Sequence, residues 1–189
     1  MTPLTQLAHQ RLREVIKEGD FAIDATAGNG HDTVFLAQMV GIGGRVIAFD
    51  IQTKALEQTR IQLGQLAERV DLVHADHAAM EEYLPSSWRG KVAAVVMNLG
   101  YLPGGDHAIT TKVLSTIRAC KTAISYLQVE GLLSMIAYRG HPGGNEEATE
   151  LLRWLENEQM KGSGTLFILE GNPANQFSPV LYWFTKQQL

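Results

Sequence analysis

Phe21-Ala-Ile-Asp24-Ala-Thr-Ala-Gly28-Asn-Gly30-His-Asp-Thr33-Val-Phe-Leu36 decides the fold. A short apolar strand runs into a turn with two glycines, and a helical pattern through Val34, Phe35, Leu36 and Met39 follows. The returning helix means that the next strand, Arg45-Val-Ile-Ala-Phe-Asp50, can lie parallel to the first. The alternation then continues: a helix over 54–67, a strand over 69–74, a short helix over 78–84 and a strand over 92–97. A helix over 109–127, a strand over 131–138 and a helix over 146–160 complete it. Val92-Ala-Ala-Val-Val-Met97 has lost all polar alternation, as strands covered on both faces do. Upstream, Leu4, Leu7, Ala8, Leu12, Val15 and Ile16 give an amphipathic helix over 3–18, ended by Gly19-Asp20. On the 109–127 helix the apolar stripe is Ile109, Val113, Ile117, Cys120, Ile124 and Leu127. Downstream, the strands 165–169 and 180–185 have no helix between them, which suits an antiparallel pair. The expected fold is α/β: one domain over 1–189 with a doubly wound, mostly parallel sheet and an antiparallel strand near the end.

Composition agrees. The chain has 189 residues, 45% of them hydrophobic and 19% charged, which is globular and excludes disorder and coiled coil. Its apolar runs are strand-sized, so no membrane span is expected, and Met1-Thr-Pro-Leu-Thr-Gln does not read as a secretory signal. One cysteine, Cys120, lies on the apolar stripe of its helix and reads as core; the absence of an internal pair fits a cytoplasmic location. A net charge of −4 argues against coating nucleic acid by bulk charge, while leaving room for a local basic patch.

Ligands of open parallel sheets bind beyond the carboxyl ends of the strands. Four successive ends here carry polar residues or glycine turns: Asp24 to Gly30, Asp50, Asp76-His77, and Asn98-Leu-Gly-Tyr101. Gly28-Asn-Gly30-His-Asp-Thr33 has the first two glycines of a dinucleotide fingerprint but threonine in place of the third. Asp24, at the end of its strand, is a poor neighbour for a pyrophosphate and a good one for a cation. S-adenosylmethionine has that character, with an amino group, a sulfonium and no phosphate. Gly28 and Gly30 let the backbone approach such a ligand, and Asp50 is spaced to bind its ribose hydroxyls. His74, Asp76 and His77 make a weak metal signal, and no metal is expected; His74 reads as a strand-end histidine with ordinary hydrogen bonds. Glu146-Glu147 is accounted for by the dipole of the helix it opens.

These blocks, with Phe49-Asp-Ile-Gln52, His74-Ala-Asp-His77, Asn98-Leu-Gly-Tyr-Leu-Pro-Gly-Gly-Asp106 and Tyr138-Arg-Gly-His-Pro-Gly-Gly144, resemble a known family over nearly the whole chain. It is the small class I S-adenosylmethionine-dependent methyltransferases long labelled rRNA methylases, now understood as bacterial tRNA 5-aminomethyl-2-thiouridine methyltransferases. The resemblance implies a Rossmann-like seven-stranded sheet with its last strand antiparallel. It implies that Asn29 and His31 line the methionine end of the cofactor, that Asp50 and Gln52 hold the ribose and adenine side, and that Asp76 and His77 hold the adenine.

The function expected is methyl transfer from S-adenosylmethionine to the exocyclic amine of a modified wobble uridine in the tRNA anticodon stem-loop. Asn98 and Tyr101 stand where amine-directed methyltransferases keep an Asn-Pro-Pro-Tyr-like segment; Asn98 can accept the amine's hydrogens and Tyr101 can stack on a base. Asp106 is the candidate proton acceptor, with N-cap of the next helix as its other role. Arg139 and His141 are the candidate substrate-binding residues, and Arg11, Arg13, Lys17, Lys112, Arg118 and Lys121 are further candidate phosphate contacts. A homodimer would join two such basic patches. The alternatives are an rRNA base methyltransferase and a non-catalytic nucleotide- or NAD-binding module.

Overall fold

The side chains of Val92-Ala-Ala-Val-Val-Met97 alternate between two apolar layers: Val95 and Met97 enter one, Ala94 and Val96 the other. That double burial places the strand at the centre of the molecule, a computed structural model that describes residues 2–172 and 174–188. Among these residues the strands are β1 (Phe21–Asp24), β2 (Arg45–Asp50), β3 (Val70–His74), β4 (Val92–Leu99), β5 (Leu127–Ala137), β6 (Gly164–Glu170) and β7 (Val180–Lys186). The α-helices are α1 (Leu4–Val15), α2 (His31–Met39), α3 (Thr53–Leu63), α4 (Val113–Tyr126) and α5 (Gly144–Met160). One sheet has the order β3-β2-β1-β4-β5-β7-β6. Strands β1 to β5 pair in parallel, and β7 runs antiparallel to both its neighbours. The strand order reverses between β1 and β4, where such folds bind ligands.

Two layers cover the sheet. Leu12 and Ile16, Phe35, Leu36 and Val40 pack on one face, bringing α1 and α2 against Ala22, Val46, Val96 and Leu132. Ala119, Cys120, Ala123, Leu151 and Leu155 bring α4 and α5 onto the other. Cys120 is fully buried, its Sγ 3.5 Å from Met135 Sδ, and burial raises its thiol pKa; it is a core residue. Among the described residues no helix is long and apolar enough to cross a membrane.

The elements differ from the sequence expectation in several places, among them β5, which begins at Leu127 and not at 131. Helix α1 stops at Val15 because Ile16 turns extended to bury its own side chain in the core. The α-helical part of 54–67 ends at Leu63, since Gly64 takes φ +50° and opens a 3₁₀ turn over Gly64–Arg69. The short helix after β3 is 3₁₀, over His77–Glu82. Helix α4 begins at Val113: residues 109–112 are drawn away by the bridge between Tyr101 and Thr110 and the Thr111 N–H bond to Gly100 O. Its buried face is also rotated from the aliphatic stripe to Thr116, Ala119, Cys120, Ala123 and Tyr126. Small side chains let the helix lie close to the sheet, and Ile109 is left 37% exposed.

Candidate active site

The turn over 25–30 is fastened from beneath. Asp24 is fully buried, and its two carboxylate oxygens accept from Thr26 N–H (3.1 Å) and Thr33 Oγ1 (2.6 Å). Burial pushes its carboxyl up to about 7, with the neighbouring Asp32 charge adding to the shift. The side chain therefore belongs to the turn. It is not among the residues lining the cleft, contrary to the sequence expectation of a ligand contact. Gly30 also faces inward: its φ is +86°, and a Cβ there would sit 2.8 Å from Thr59 Cα. Its lack of a side chain lets the turn pack closely against α3.

The turn forms one wall of a cleft of ≈ 720 Å³ at the β1/β4 switch. Gly28 N–H donates to Asp50 Oδ2 (2.9 Å), and Gln52 N–H to Asp50 Oδ1 (2.8 Å), so the carboxylate at the end of β2 is held rigidly at the cleft wall. Asn29, His31 and Gln52 line the same space, and Asn29 Nδ2 donates to Pro103 O across it (3.3 Å). Asp76 accepts from Ala78 N–H (2.8 Å). Beside it, His77 is 7% exposed, and its Nε2 is buried with no hydrogen-bond partner among the described residues. Burial lowers the His77 pKa, so the ring is a neutral group with an unspent polar atom. Among the lining residues the carboxylates are Asp32, Asp50 and Asp76, against a single Lys112. That donor set repels a pyrophosphate and suits a ligand carrying positive charge and hydroxyls.

The other end of the cleft is built on Asn98. Strand β4 runs two residues further than its apolar run, so Asn98 lies within it, its N–H bonded to Thr26 Oγ1 (2.7 Å). Its Nδ2 donates to Asp32 Oδ2 (2.6 Å), and Asp32 Oδ1 meets His9 Nε2 from α1 at 2.5 Å. His9 stacks on Phe35, with ring centroids 3.9 Å apart. Burial opposes ionisation of Asp32, but the hydrogen bonds from His9 and Asn98 outweigh it and hold the carboxyl below its ordinary range. Tyr101 lines the rim, 4.0 Å from the His107 ring centroid and edge-on to His141.

Three expected residues lie elsewhere. Asp106 is exposed outside the cleft and accepts from Ala108 N–H (2.8 Å). It closes a turn and does not cap α4, whose first turn begins seven residues later. Arg139 is tied to the β6–β7 connection: Nε donates to Ser178 O (2.5 Å), with Glu170 3.7 Å from Nη1. His141 does not line the cleft, and its Nε2 is buried without a partner among the described residues. Glu147 needs more than the helix dipole: it is 3% exposed and accepts from Thr111 and Thr116 hydroxyls, both at 2.6 Å, pinning the 100–112 segment to α5. His74 is the ordinary strand-end histidine expected, bonded to Ile51 O at 2.9 Å. Among the described residues no cluster of three or more His, Cys, Asp or Glu could hold a metal.

Residues 46–182 match the family described as "Putative rRNA methylase". The chain belongs to this rRNA methylase family. A relative from Arabidopsis thaliana, named tRNA (mnm(5)s(2)U34)-methyltransferase, chloroplastic, is 44% identical over 153 residues, which is 76% of this chain and 55% of the relative. The chain thus spans about half the length of that curated relative. A Clostridium thermocellum structure of the same rRNA-methylase description superposes with a TM-score of 0.91 at 36% identity, covering 98% of each chain. A Streptococcus mutans protein solved in complex with SAH gives 0.85 at 30%, covering 98% of this chain and 99% of that one. These likenesses establish the class I methyltransferase fold. Of the residues lining the cleft, His9, Thr26 and Asp32 escaped the sequence reading, and all three lie before the matched segment. Asp32 stands in the quoted turn, where an acid in the first turn of a helix needs no further explanation. His9 carried a weaker signal, a polar ring one residue from the buried positions of α1.

Proposed function

We propose that the chain transfers the methyl group of S-adenosylmethionine to the exocyclic primary amine of 5-aminomethyl-2-thiouridine at the wobble position of tRNA. The observation that carries this reading is Asn98. Its amide nitrogen is committed to Asp32, which leaves Oδ1 as the acceptor at the cleft for the hydrogens of an amine. The cleft's charge set supports the cofactor, since three carboxylates against one lysine favour a cation and disfavour NAD. The name of the Arabidopsis relative supports tRNA as the substrate over ribosomal RNA.

When bound, S-adenosylmethionine supplies an electrophilic methyl carbon on a sulfonium. In this reading Asp50 receives the ribose hydroxyls, and His77 Nε2 and Asp76 face the adenine. Asn29 and His31 meet the methionine end, while Asn98 aligns the attacking lone pair and Tyr101 stacks on the base. The reaction needs no covalent intermediate, and most of the rate gain comes from positioning. This domain would itself contribute contacts to the RNA. Lys112 at the cleft is the cation best placed to help, because Arg11 is paired with Glu14 and Arg13 lies over Phe35. A cytoplasmic location and a homodimer belong to the same proposal.

The test is mass spectrometry of nucleosides from tRNA lacking the final methyl group, before and after incubation with enzyme and cofactor. Conversion of the aminomethyl to the methylaminomethyl nucleoside is expected; methylation confined to ribosomal RNA, or none, overturns the reading. Asn98→Ala should lower turnover by about 10²-fold, the scale of a misaligned reactant, with S-adenosylhomocysteine affinity unchanged by calorimetry.

A further inference from the structure

We infer that His9, held by Asp32, takes the proton that the acceptor ammonium must lose before its nitrogen can attack, which makes the first helix part of the active site. The inference rests on the reading above, because only an alkylamine brings that proton with it. Amines of this type are largely protonated near neutrality and then have no lone pair.

The geometry is a relay from three elements: His9 on α1, Asp32 on α2 and Asn98 on β4, joined by contacts of 2.5 and 2.6 Å and all lining one end of the cleft. Asp32 is held too acidic to take the proton itself. What it does is keep the proton of the His9 ring on Nε2, leaving Nδ1 as the acceptor, and offset the charge that appears when Nδ1 is protonated. Phe35 fixes the plane of the ring by stacking. The other lining carboxylates are engaged at the opposite end, Asp50 by two backbone N–H groups and Asp76 by one. Asp106 is outside the cleft. The remaining charged or titratable groups about the relay are His31 and the buried Asp24 beside Asp32, Tyr138 at the end of β5, whose phenol is raised by burial, and Arg13 of the same helix over Phe35. None of these is held by a carboxylate in the way His9 is.

The step balances. One N–H bond of the ammonium breaks, its electrons stay on nitrogen and the proton passes to His9. The nitrogen lone pair then forms the bond to the methyl carbon, and the carbon–sulfur pair leaves on sulfur, giving a thioether and a secondary ammonium. His9 returns its proton to water. The same anionic end gives a substrate preference: an acceptor that arrives as a cation is drawn to Asp32, whereas the neutral exocyclic amine of a cytosine is not.

The test is single-turnover methyl transfer into substrate tRNA by wild type and His9→Gln at about pH 7 and about pH 9.5, with S-adenosylhomocysteine affinity measured alongside. At the lower pH His9→Gln should be about 10²-fold slower, the scale of lost acid–base catalysis. The gap should close to a few-fold at the higher pH, where solvent removes the proton. His9→Ala should regain rate at the lower pH on addition of imidazole. A defect of equal size at both pH values without imidazole rescue, or no defect at all, overturns the inference. A wild type that methylates no tRNA overturns the reading it rests on, and the inference with it.

Discussion

At the residue scale, Asp24 shows how a correct motif can contain a wrong role. Its position at the end of β1 suggested a carboxylate facing a cation; its environment makes it the buried clamp of the turn. That environment has a measurable consequence. The carboxyl rises from an ordinary 3.8 to about 7 in the folded chain, so the folded state binds this proton more tightly than the unfolded one. Its contribution to stability is complete below the unfolded value and is lost as pH rises through the folded one. Asp24→Asn, which cannot ionise, should therefore lose less stability than wild type between about pH 4 and about pH 7, the two curves diverging by on the order of 2–4 kcal/mol. Urea titrations across that range check it; parallel curves would show that Asp24 stays ionised throughout. Asp32, eight residues on in the sequence and near it in space, has the opposite shift because His9 and Asn98 donate to it. Sequence alone could not separate two aspartates of one motif, since what distinguishes them is which donors the fold brings to each.

At the element scale, the glycine turn and its helix were readable because local chemistry dictates them, whereas the faces of the helices were not. Gly28 and Gly30 both take positive φ, but only Gly30 is in close contact, with Thr59 of α3. Gly30→Ala should destabilise by about 2 kcal/mol or more, combining backbone strain with overpacking. Gly28→Ala, whose nearest new contact is Leu102 at 3.6 Å, should cost less, and chemical denaturation of the pair checks the order. Equal losses would mean that backbone strain alone decides both. Helix α4 is the counterexample: its aliphatic periodicity suggested one stripe, and the sheet selected a neighbouring one rich in small residues. Its start moved too, because the Tyr101–Thr110 bridge and the Thr111 N–H bond to Gly100 O draw 109–112 away, and Glu147 on α5 ties Thr111 and Thr116 into a buried network that no local pattern announces.

At the scale of the whole molecule, the cleft's charge set should select between ligands. S-adenosylhomocysteine at about a hundred times its Kd should stabilise by about 2.7 kcal/mol, raising Tm by roughly 5–10 °C for a chain of this size, and NAD should raise it little. Protection by NAD alone, followed by differential scanning fluorimetry, would reverse the assignment. The strands, their parallel order and the carboxyl-end positions of Asp50, Asp76 and Asn98 were determined by the sequence itself. Apolar periodicity and glycine turns are short-range properties that any window of the chain expresses. The placing of Asp106 and Arg139 outside the cleft, and of His9 within it, was decided only by tertiary structure. His9 and Asn98 are far apart along the chain and meet at Asp32 because α1 packs across β4 and β5, while Arg139 is captured by a carbonyl of the distant β6–β7 connection. A hydrogen bond between such partners depends on the packing of the elements that carry them, and a sequence pattern records the elements without recording which of their side chains will meet.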